Sequence, residues 1–324
     1  MTDTHPLFQI TTIPNSGLGA VATAPITRGT LLISEPALFL LTADFLTTAA
    51  ANAGIAAKLR TLTPPQLHSF LTLTNAHTTD TRHPFAGIMR TNALPCGVDA
   101  VECGVFPTCS RFNHSCNPNA NYCWNEKTRQ EVVYAVKDIA VGEQICVSYL
   151  DEESTNYPRA QRQQRLRKDF SFECRCAVCS GDAAAVAASD ERRREVGRLD
   201  ALVGGGTLMM GSPQKALGCC RRILALLGEE GIKDVSLYRT YYDAFQICVA
   251  HGDMARAAAL ARLGVAVKVA CHGSVAVEEK LWTYAKSPEK HRLASMSRRW
   301  ATKVGDAKEI GSEGFEEWLW ARAR

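Results

Sequence analysis

Residues 111–120 read Arg-Phe-Asn-His-Ser-Cys-Asn-Pro-Asn-Ala. Asparagine and proline at this density predict a tight loop rather than the interior of a helix or a strand. A loop rich in hydrogen-bonding groups is often only a surface connection, but this one also carries an imidazole and a thiol. Two later segments accompany it, Gly142–Tyr149 and the cluster Cys174-Arg175-Cys176-Ala177-Val178-Cys179. Their presence indicates that the loop is more than a connection.

In order and content, these segments resemble the SET-domain protein methyltransferases, specifically the SMYD-like branch. The family's Asn-His-Ser-Cys-x-Pro-Asn motif is present from Asn113 to Asn119. The family's opening Gly-x-Gly-x-x-Ala strand and turn matches residues 17–22, and Gly29-Thr30 and Glu35-Pro36 follow it. A dinucleotide-binding loop is not favoured for residues 17–22, because the third glycine and the following helix are missing, and a plain hairpin with two glycines is the alternative interpretation.

Short β-rich segments alternate with turns in the first half of the chain. Strands are predicted at Ile10–Ile13, Thr30–Ile33, Val132–Val136 and Gln144–Tyr149. An insert at about residues 42–86 is predicted to be helical, with helices over Thr48–Leu62 and Pro64–Asn75. SMYD proteins usually carry a cysteine-rich MYND zinc module in this half. No cysteine occurs between Met1 and Leu94, so that module is absent.

From Ala183 onward the pattern is helical, because apolar residues recur at three- and four-residue spacing. Helices are predicted over Ser189–Leu202, Pro213–Leu227, Val235–His251, Met254–Cys271 and Val275–Leu281, with ends at Gly228, Gly252 and Gly273. Helix pairs joined at Gly252 resemble tetratricopeptide (TPR) hairpins. The predicted class is α+β: a SET domain at residues 1–150, a post-SET helix and zinc loop at 151–182, and an all-α, TPR-like domain at 183–324.

The helix that follows Pro158 carries Arg159, Arg162, Arg165 and Arg167. Arginine is rarely buried, so these four side chains predict a solvated basic face. A docking strip for an acidic partner is the alternative interpretation.

The cysteines at 174, 176 and 179 place three thiols within six residues, a spacing typical of zinc ligands. Structural zinc takes four ligands in a tetrahedron, so a fourth must come from elsewhere. The resemblance implies Cys116. A fully coordinated zinc has no open position, and we expect it to hold structure rather than to catalyse.

The resemblance implies that the methyl donor is S-adenosylmethionine and that the acceptor is a lysine. Methyl transfer needs a neutral amine aligned in a narrow channel, with oxygens that stabilise the developing charge. Tyr149 is the implied catalytic tyrosine. The implied donor-binding residues are Gly17, Leu18, Gly19, Asn92, Asn113, His114, Tyr149 and Phe172, the last stacking on adenine. Phe170 stands where related sequences often have a tyrosine, and it is the implied wall of the substrate channel.

The predicted function is therefore S-adenosylmethionine-dependent methylation of a histone or non-histone lysine. One alternative is a SET-fold scaffold with little turnover that binds a protein partner through its helical domain. A second is a zinc module that binds nucleic acid, but the charge is too balanced: 15 Lys/Arg against 16 Asp/Glu through Asp182 and 22 against 17 thereafter.

The N-terminus and the distribution of apolar residues predict an intracellular protein. The N-terminus lacks the basic and then apolar pattern of a signal peptide, and no apolar run could span a bilayer. We therefore expect a cytoplasmic or nuclear monomer without membrane contact. In that setting the 13 cysteines indicate free thiols and metal ligands rather than disulfides.

Overall fold

The structure, a computed structural model, describes residues 5–42, 51–97, 100–274 and 277–321. The chain divides into two compact units: residues 1–150 with 160–179, and residues 151–159 with 180–324. The first unit mixes strands and helices, and the second is helical. This arrangement confirms the predicted α+β class with a helical C-terminal region. The predicted domain boundaries at 150 and 182 remain a prediction.

The described residues of the first unit form ten short strands. They are β1 (Phe8–Ile13), β2 (Gly17–Ala22), β3 (Leu31–Pro36), β4 (Leu40–Thr42), β5 (Ala93–Cys96), β6 (Glu102–Val105), β7 (Asn113–His114), β8 (Ala120–Asn125), β9 (Gln130–Ala135) and β10 (Gln144–Val147). They form three small sheets with strand orders β1-β2-β10-β7, β3-β9-β8 and β4-β6-β5. Their apolar faces share a core that includes Phe8, Leu32, Phe106, Phe112 and Ile145.

The position of β10 inside the first sheet brings distant parts of the chain together. On one side β10 pairs antiparallel with β2, with Ile145 opposite Ala20. On the other it pairs parallel with β7, with Cys146 opposite Asn113. The glycine-containing strand β2 and the Asn113-His114 pair therefore flank the strand that leads to Tyr149.

The helical insert consists of α1 (Ala51–Leu59), α2 (Pro64–Leu71) and α3 (Pro84–Asn92). Proline at the first positions of α2 and α3 suits a helix start, because the N–H that proline lacks would have no partner within the helix there. Ile55, Phe70 and Met89 are buried in a separate apolar cluster. Thr48, the predicted beginning of the first helix, lies outside the described residues.

Two helices follow the sheets: α4 (Arg159–Phe170) and the single turn α5 (Ala177–Ser180). Leu166 of α4 is fully buried, in a cluster with the cysteines at 116, 174 and 179. The cysteine loop therefore packs on the inner face of α4.

The second unit contains α6 (Ala183–Gly204), α7 (Thr207–Gly211), α8 (Pro213–Glu229), α9 (Val235–Ala250), α10 (Met254–His272), α11 (Glu279–Lys286) and α12 (Phe315–Trp320). Its core includes Leu217, Phe245, Leu260 and Leu319. None of the helices in the described part of the chain is long and apolar enough to cross a membrane.

Two of the three predicted helix ends in this unit are confirmed. Gly252 and Gly273 follow α9 and α10 with φ of 78° and 76°, a backbone conformation that glycine adopts without strain. Gly228 does not end its helix, because α8 continues through Glu229. The fifth predicted helix begins at Glu279, and its predicted start, Val275, lies outside the described residues.

Candidate active site

A cleft of about 1040 Å³ lies in the first unit. Its walls come from residues 13–18 in the β1–β2 turn, 74–78 after α2, 91–92 at the end of α3, 110–115 around β7, 143–149 along β10, and 170–177 after α4. Small-molecule sites typically occupy roughly 300–1,000 Å³, so this cleft has room for a ligand and an inserted side chain.

Most of the predicted site residues line this cleft: Gly17, Leu18, Asn92, Asn113, His114, Tyr149, Phe170 and Phe172. Gly19 does not line it. A Cβ atom at Gly19 would lie 2.6 Å from Asn113 Nδ2 and 2.8 Å from Gln144 Nε2. Glycine is therefore needed at this position to make room for two side chains of the cleft wall.

Two of these side chains carry buried amide groups. Asn113 Nδ2 and Gln144 Nε2 are enclosed, and neither has a hydrogen-bond acceptor among the described residues. A buried N–H group without an acceptor costs roughly 1–3 kcal/mol. Both residues also line the cleft, so a polar ligand bound there would lie close to their amide groups.

His114 connects β7 to Tyr149. The backbone N–H of Tyr149 donates to His114 Nδ1 at 3.0 Å, so this nitrogen is unprotonated. In the neutral ring the proton is then on Nε2, which lies 3.4 Å from Cys116 Sγ and donates to it. Both ring nitrogens thus have partners in the protein. The imidazole orients Tyr149 and supports the cysteine cluster, and any contact to a ligand would use its ring face or its backbone.

Tyr149 stands in an aromatic wall. Its hydroxyl donates to the carbonyl of Phe112 at 2.9 Å. Burial, with smaller contributions from Cys146 and Tyr122, raises the pKa of the Tyr149 hydroxyl well above its ordinary value, so it stays protonated at neutral pH. The ring centroids of Phe170 and Phe172 lie 5.0 Å and 6.2 Å from that of Tyr149.

Ser171, between the two phenylalanines, has φ of 58°, in the left-handed region. That conformation ends α4, and both neighbouring rings contribute to the cleft wall.

Asn92 presents one side of its amide to the protein. Its Nδ2 donates to the carbonyls of Thr74 and Ile88, both at 2.7 Å. The side-chain oxygen is then the atom that can accept a hydrogen bond from a ligand in the cleft. This geometry is compatible with the implied donor-binding role of Asn92, which remains a prediction.

The thiols of Cys116, Cys174, Cys176 and Cys179 all lie within 4.8 Å of one another. Cys116 Sγ is 3.9 Å from Cys174 Sγ and 3.6 Å from Cys179 Sγ. In a zinc tetrahedron with bonds of about 2.3 Å, neighbouring sulfurs are about 3.8 Å apart. The cluster therefore fits a tetrahedral zinc ion, and it unites the loop cysteines with Cys116.

The predicted solvated basic face of α4 is wrong at one of its four positions. Arg159, Arg165 and Arg167 are exposed, but Arg162 is fully buried. Its guanidinium donates to Cys179 Sγ at 3.9 Å. Burial acts to lower the pKa of Arg162, but the thiols of Cys116 and Cys179 raise it overall. A buried cation is stable here because it lies beside a cluster of thiols.

The adjacent Gln163 holds the loop through its backbone. Gln163 Nε2 donates to the carbonyl of Cys174 at 2.7 Å, and the Cys174 N–H donates back to Gln163 Oε1 at 2.8 Å. Sequence reasoning missed Gln163, Gln144 and the role of Arg162. The sequence pattern that could have indicated the buried face of α4 was weak. Arg162, Gln163 and Leu166 share that face, but two of them are polar and so do not form an apolar stripe.

Comparison with known proteins connects this site with a family. Residues 17–150 match the SET domain family. Over 290 residues the chain is 32% identical to the histone-lysine N-methyltransferase set5 of Schizosaccharomyces pombe, a match that covers 89% of this chain and 86% of that protein.

Two shorter similarities involve the SMYD group. The chain is 35% identical over 97 residues to human histone-lysine N-methyltransferase SMYD3, covering 29% of this chain and 22% of that protein. It is 40% identical over 80 residues to mouse protein-lysine N-trimethyltransferase SMYD5, covering 25% and 19%. These two matches concern only a part of each protein, whereas the set5 match extends over both units.

Proposed function

The chain belongs to the SET-domain lysine methyltransferases, and we propose that its cleft binds S-adenosylmethionine and that its Tyr149 wall admits a protein lysine for methylation. The scaffold alternative is not favoured, because the relative that matches most of the chain is named as a methyltransferase. Since set5 and SMYD3 are named histone-lysine enzymes and SMYD5 a protein-lysine enzyme, the proposed acceptor is a lysine of a histone or of another protein.

One observation carries this proposal: the unsatisfied amides of Asn113 and Gln144 lie in the same cleft as Tyr149. The amides offer donors to the acceptor-rich rings of an adenosine group. The aromatic wall of Tyr149, Phe170 and Phe172 offers flat apolar surface for an adenine ring or an alkyl chain. Neither feature alone would indicate methyl transfer, but a donor site and a narrow aromatic wall are the two parts that the reaction needs.

When bound, S-adenosylmethionine supplies a methyl group on a positively charged sulfur. The role of Tyr149 follows from its raised pKa, because a hydroxyl that stays protonated is not a base at neutral pH. Its hydrogen bond to Phe112 O fixes the direction of the O–H, and the oxygen lone pairs remain to accept from a lysine amine or to face the transferring methyl. The lysine must therefore arrive neutral or lose its proton to water, since its ordinary pKa is about 10.4.

For the cysteine cluster we propose one structural zinc ion, held by Cys116, Cys174, Cys176 and Cys179. Zinc would join the loop that carries Phe172 to the loop that follows His114, and so stabilise the aromatic wall indirectly. Metal analysis of purified protein should give about one equivalent of zinc per chain, and Cys176→Ser should lose it. Protein that is free of zinc and fully active would refute this role.

Titration calorimetry with S-adenosylmethionine tests the donor site directly. Wild-type protein should bind one equivalent, with Asn113→Ala weaker and the exposed Arg165→Met on α4 unchanged. A protein that binds no donor would refute the proposed function. Binding without transfer to any protein in a cell extract would instead favour the scaffold.

A further inference from the structure

Arg111 lies in the wall of the cleft, near Asn113 and His114 in the sequence. It follows Ser110 in the short turn that precedes β7, and its side chain is half-buried. One terminal nitrogen donates to the carbonyl and the hydroxyl of Thr72, at 3.2 Å and 3.4 Å. The other two nitrogens of the guanidinium have no hydrogen-bond partner among the described residues.

The charge of Arg111 is also unmatched. Within the part of the chain that the structure describes, no carboxylate forms an ion pair with it. The acidic side chains of the cleft have other partners: Glu143 accepts from Asn119 Nδ2 and the Ala140 N–H, and Glu173 pairs with Arg167 at 2.8 Å. Burial lowers the pKa of Arg111, which indicates that the charged form loses hydration here without compensation.

The other walls of the cleft provide little positive charge. The β1–β2 hairpin contains no lysine or arginine from Phe8 to Ala24. Arg175 is the second guanidinium in the lining, but it is exposed in the cysteine loop, where water can hydrate it. Arg111 is therefore the half-buried cation that a negatively charged ligand group would meet inside the cleft.

We propose that Arg111 binds the α-carboxylate of the methyl donor, an inference that rests on the proposed function. A guanidinium presents its N–H groups in a planar fork that suits a carboxylate. The contacts with Thr72 use one nitrogen and hold the side chain in place, so the fork is oriented before the ligand arrives. Arg111 would then be the residue that selects a donor with an intact amino-acid end.

A purely structural role is the competing interpretation, because Arg111 also ties the turn before β7 to the end of α2. Loss of that tie would distort the cleft for every ligand. Loss of a carboxylate contact would matter only for ligands that carry the carboxylate. Decarboxylated S-adenosylmethionine keeps the adenosine, the sulfonium and the amine, and therefore separates the two interpretations.

The experiment measures the dissociation constants of S-adenosylmethionine and its decarboxylated analogue by calorimetry, for wild type, Arg111→Met and Arg111→Lys. We expect Arg111→Met to weaken binding of S-adenosylmethionine about 10- to 100-fold, while binding of the analogue changes less than about twofold. Arg111→Lys keeps the charge without the fork and should give an intermediate loss. Arg90→Met, which removes a guanidinium outside the cleft lining, should bind both ligands as wild type does.

Equal weakening of both ligands in Arg111→Met would overturn the inference in favour of a structural role. Unchanged binding of both, or a carboxylate-selective loss in Arg175→Met instead, would also overturn it. Wild-type protein that binds neither ligand would refute the proposed function and this inference with it. The outcomes named before it refute only the role of Arg111, because in them wild-type protein still binds the donor.

Discussion

Replacing Glu131 by glutamine should stabilise the protein, and by an amount that depends on pH. Glu131 lies in the central strand of the β3-β9-β8 sheet and is fully buried. Neither carboxylate oxygen has a hydrogen-bond partner among the described residues. The neighbouring Glu35, opposite it on β3, uses its carboxylate to accept from the N–H groups of Thr108 and Cys109.

Burial, and secondly the charge of Glu35, raises the pKa of Glu131 to about 9 from an ordinary value of 4.5. At pH 7 the folded state therefore keeps a proton that the unfolded state has released. The free-energy cost is about 1.4 kcal/mol for each pH unit above the unfolded pKa, or about 3 kcal/mol at pH 7. A glutamine has nearly the same shape and no proton to lose, so Glu131→Gln should recover most of this amount.

The sign of the pH dependence follows from the raised pKa. Between about pH 4.5 and pH 9 the folded state binds more protons than the unfolded state, so the stability of wild type falls as pH rises through this range. The advantage of Glu131→Gln should thus be near zero at pH 4.5 and grow steadily to about pH 9.

Urea denaturation of both proteins at pH 5, 7 and 8.5, followed by tryptophan fluorescence, measures the difference in free energy of unfolding. Trp124, opposite Glu131 on β8, reports on this sheet. The matched control is Glu126→Gln, because Glu126 is exposed at 63% in the β8–β9 turn and should show no such growth. An advantage of Glu131→Gln that stays constant from pH 5 to pH 8.5 would refute the reasoning.

Three further predictions concern the site. Arg162→Met should weaken zinc retention about 10- to 100-fold in a chelator competition, because a buried cation beside the thiolates is lost. Arg165→Met, on the exposed face of α4, should retain zinc as wild type does. Asn113→Ala and Gln144→Ala should each weaken binding of S-adenosylmethionine about tenfold in calorimetry, since each removes one buried donor; unchanged affinity would mean that these amides do not reach the ligand. Phe170→Tyr should shift products toward fewer methyl groups in mass spectrometry. The change adds a hydroxyl to the proposed channel wall and makes the ring more polar, where the phenylalanine ring face would attract a methylated ammonium by roughly 0.5–2 kcal/mol. An unchanged product ratio would show that Phe170 does not set the number of methyl groups.

The parts of the site that could be predicted from the sequence are those whose chemistry is local. Three thiols in six residues predict a metal loop wherever they occur, and the structure brings Cys116 to that loop as the resemblance implied. The strands around Ile10 and Val132 were also predictable, because β-branched residues are concentrated there between turn residues. The α+β class could be predicted because it depends on such local signals.

The remainder depends on contacts between distant segments. Arg162 was predicted to be solvated because arginine usually is, and its burial depends on contacts with a distant segment, among them the donation from its guanidinium to Cys179 Sγ. In the sequence Gln144 is an ordinary strand residue. Its place in the cleft wall follows from the position of β10 between β2 and β7. Gly228 was misassigned as a helix end by one residue, because α8 ends at Glu229 and the glycine with the left-handed conformation after it is Gly231, with φ of 68°.

The most direct test of the central claim is to map methyl transfer by mass spectrometry, with saturating S-adenosylmethionine and histones or a cell extract as acceptors. Wild type should add methyl groups to lysine side chains. Tyr149→Phe should still bind the donor in calorimetry but transfer at least about 100-fold more slowly, because it lacks the hydroxyl that we propose faces the transferring methyl group. Methylation at residues other than lysine, or a full rate in Tyr149→Phe, would contradict the account.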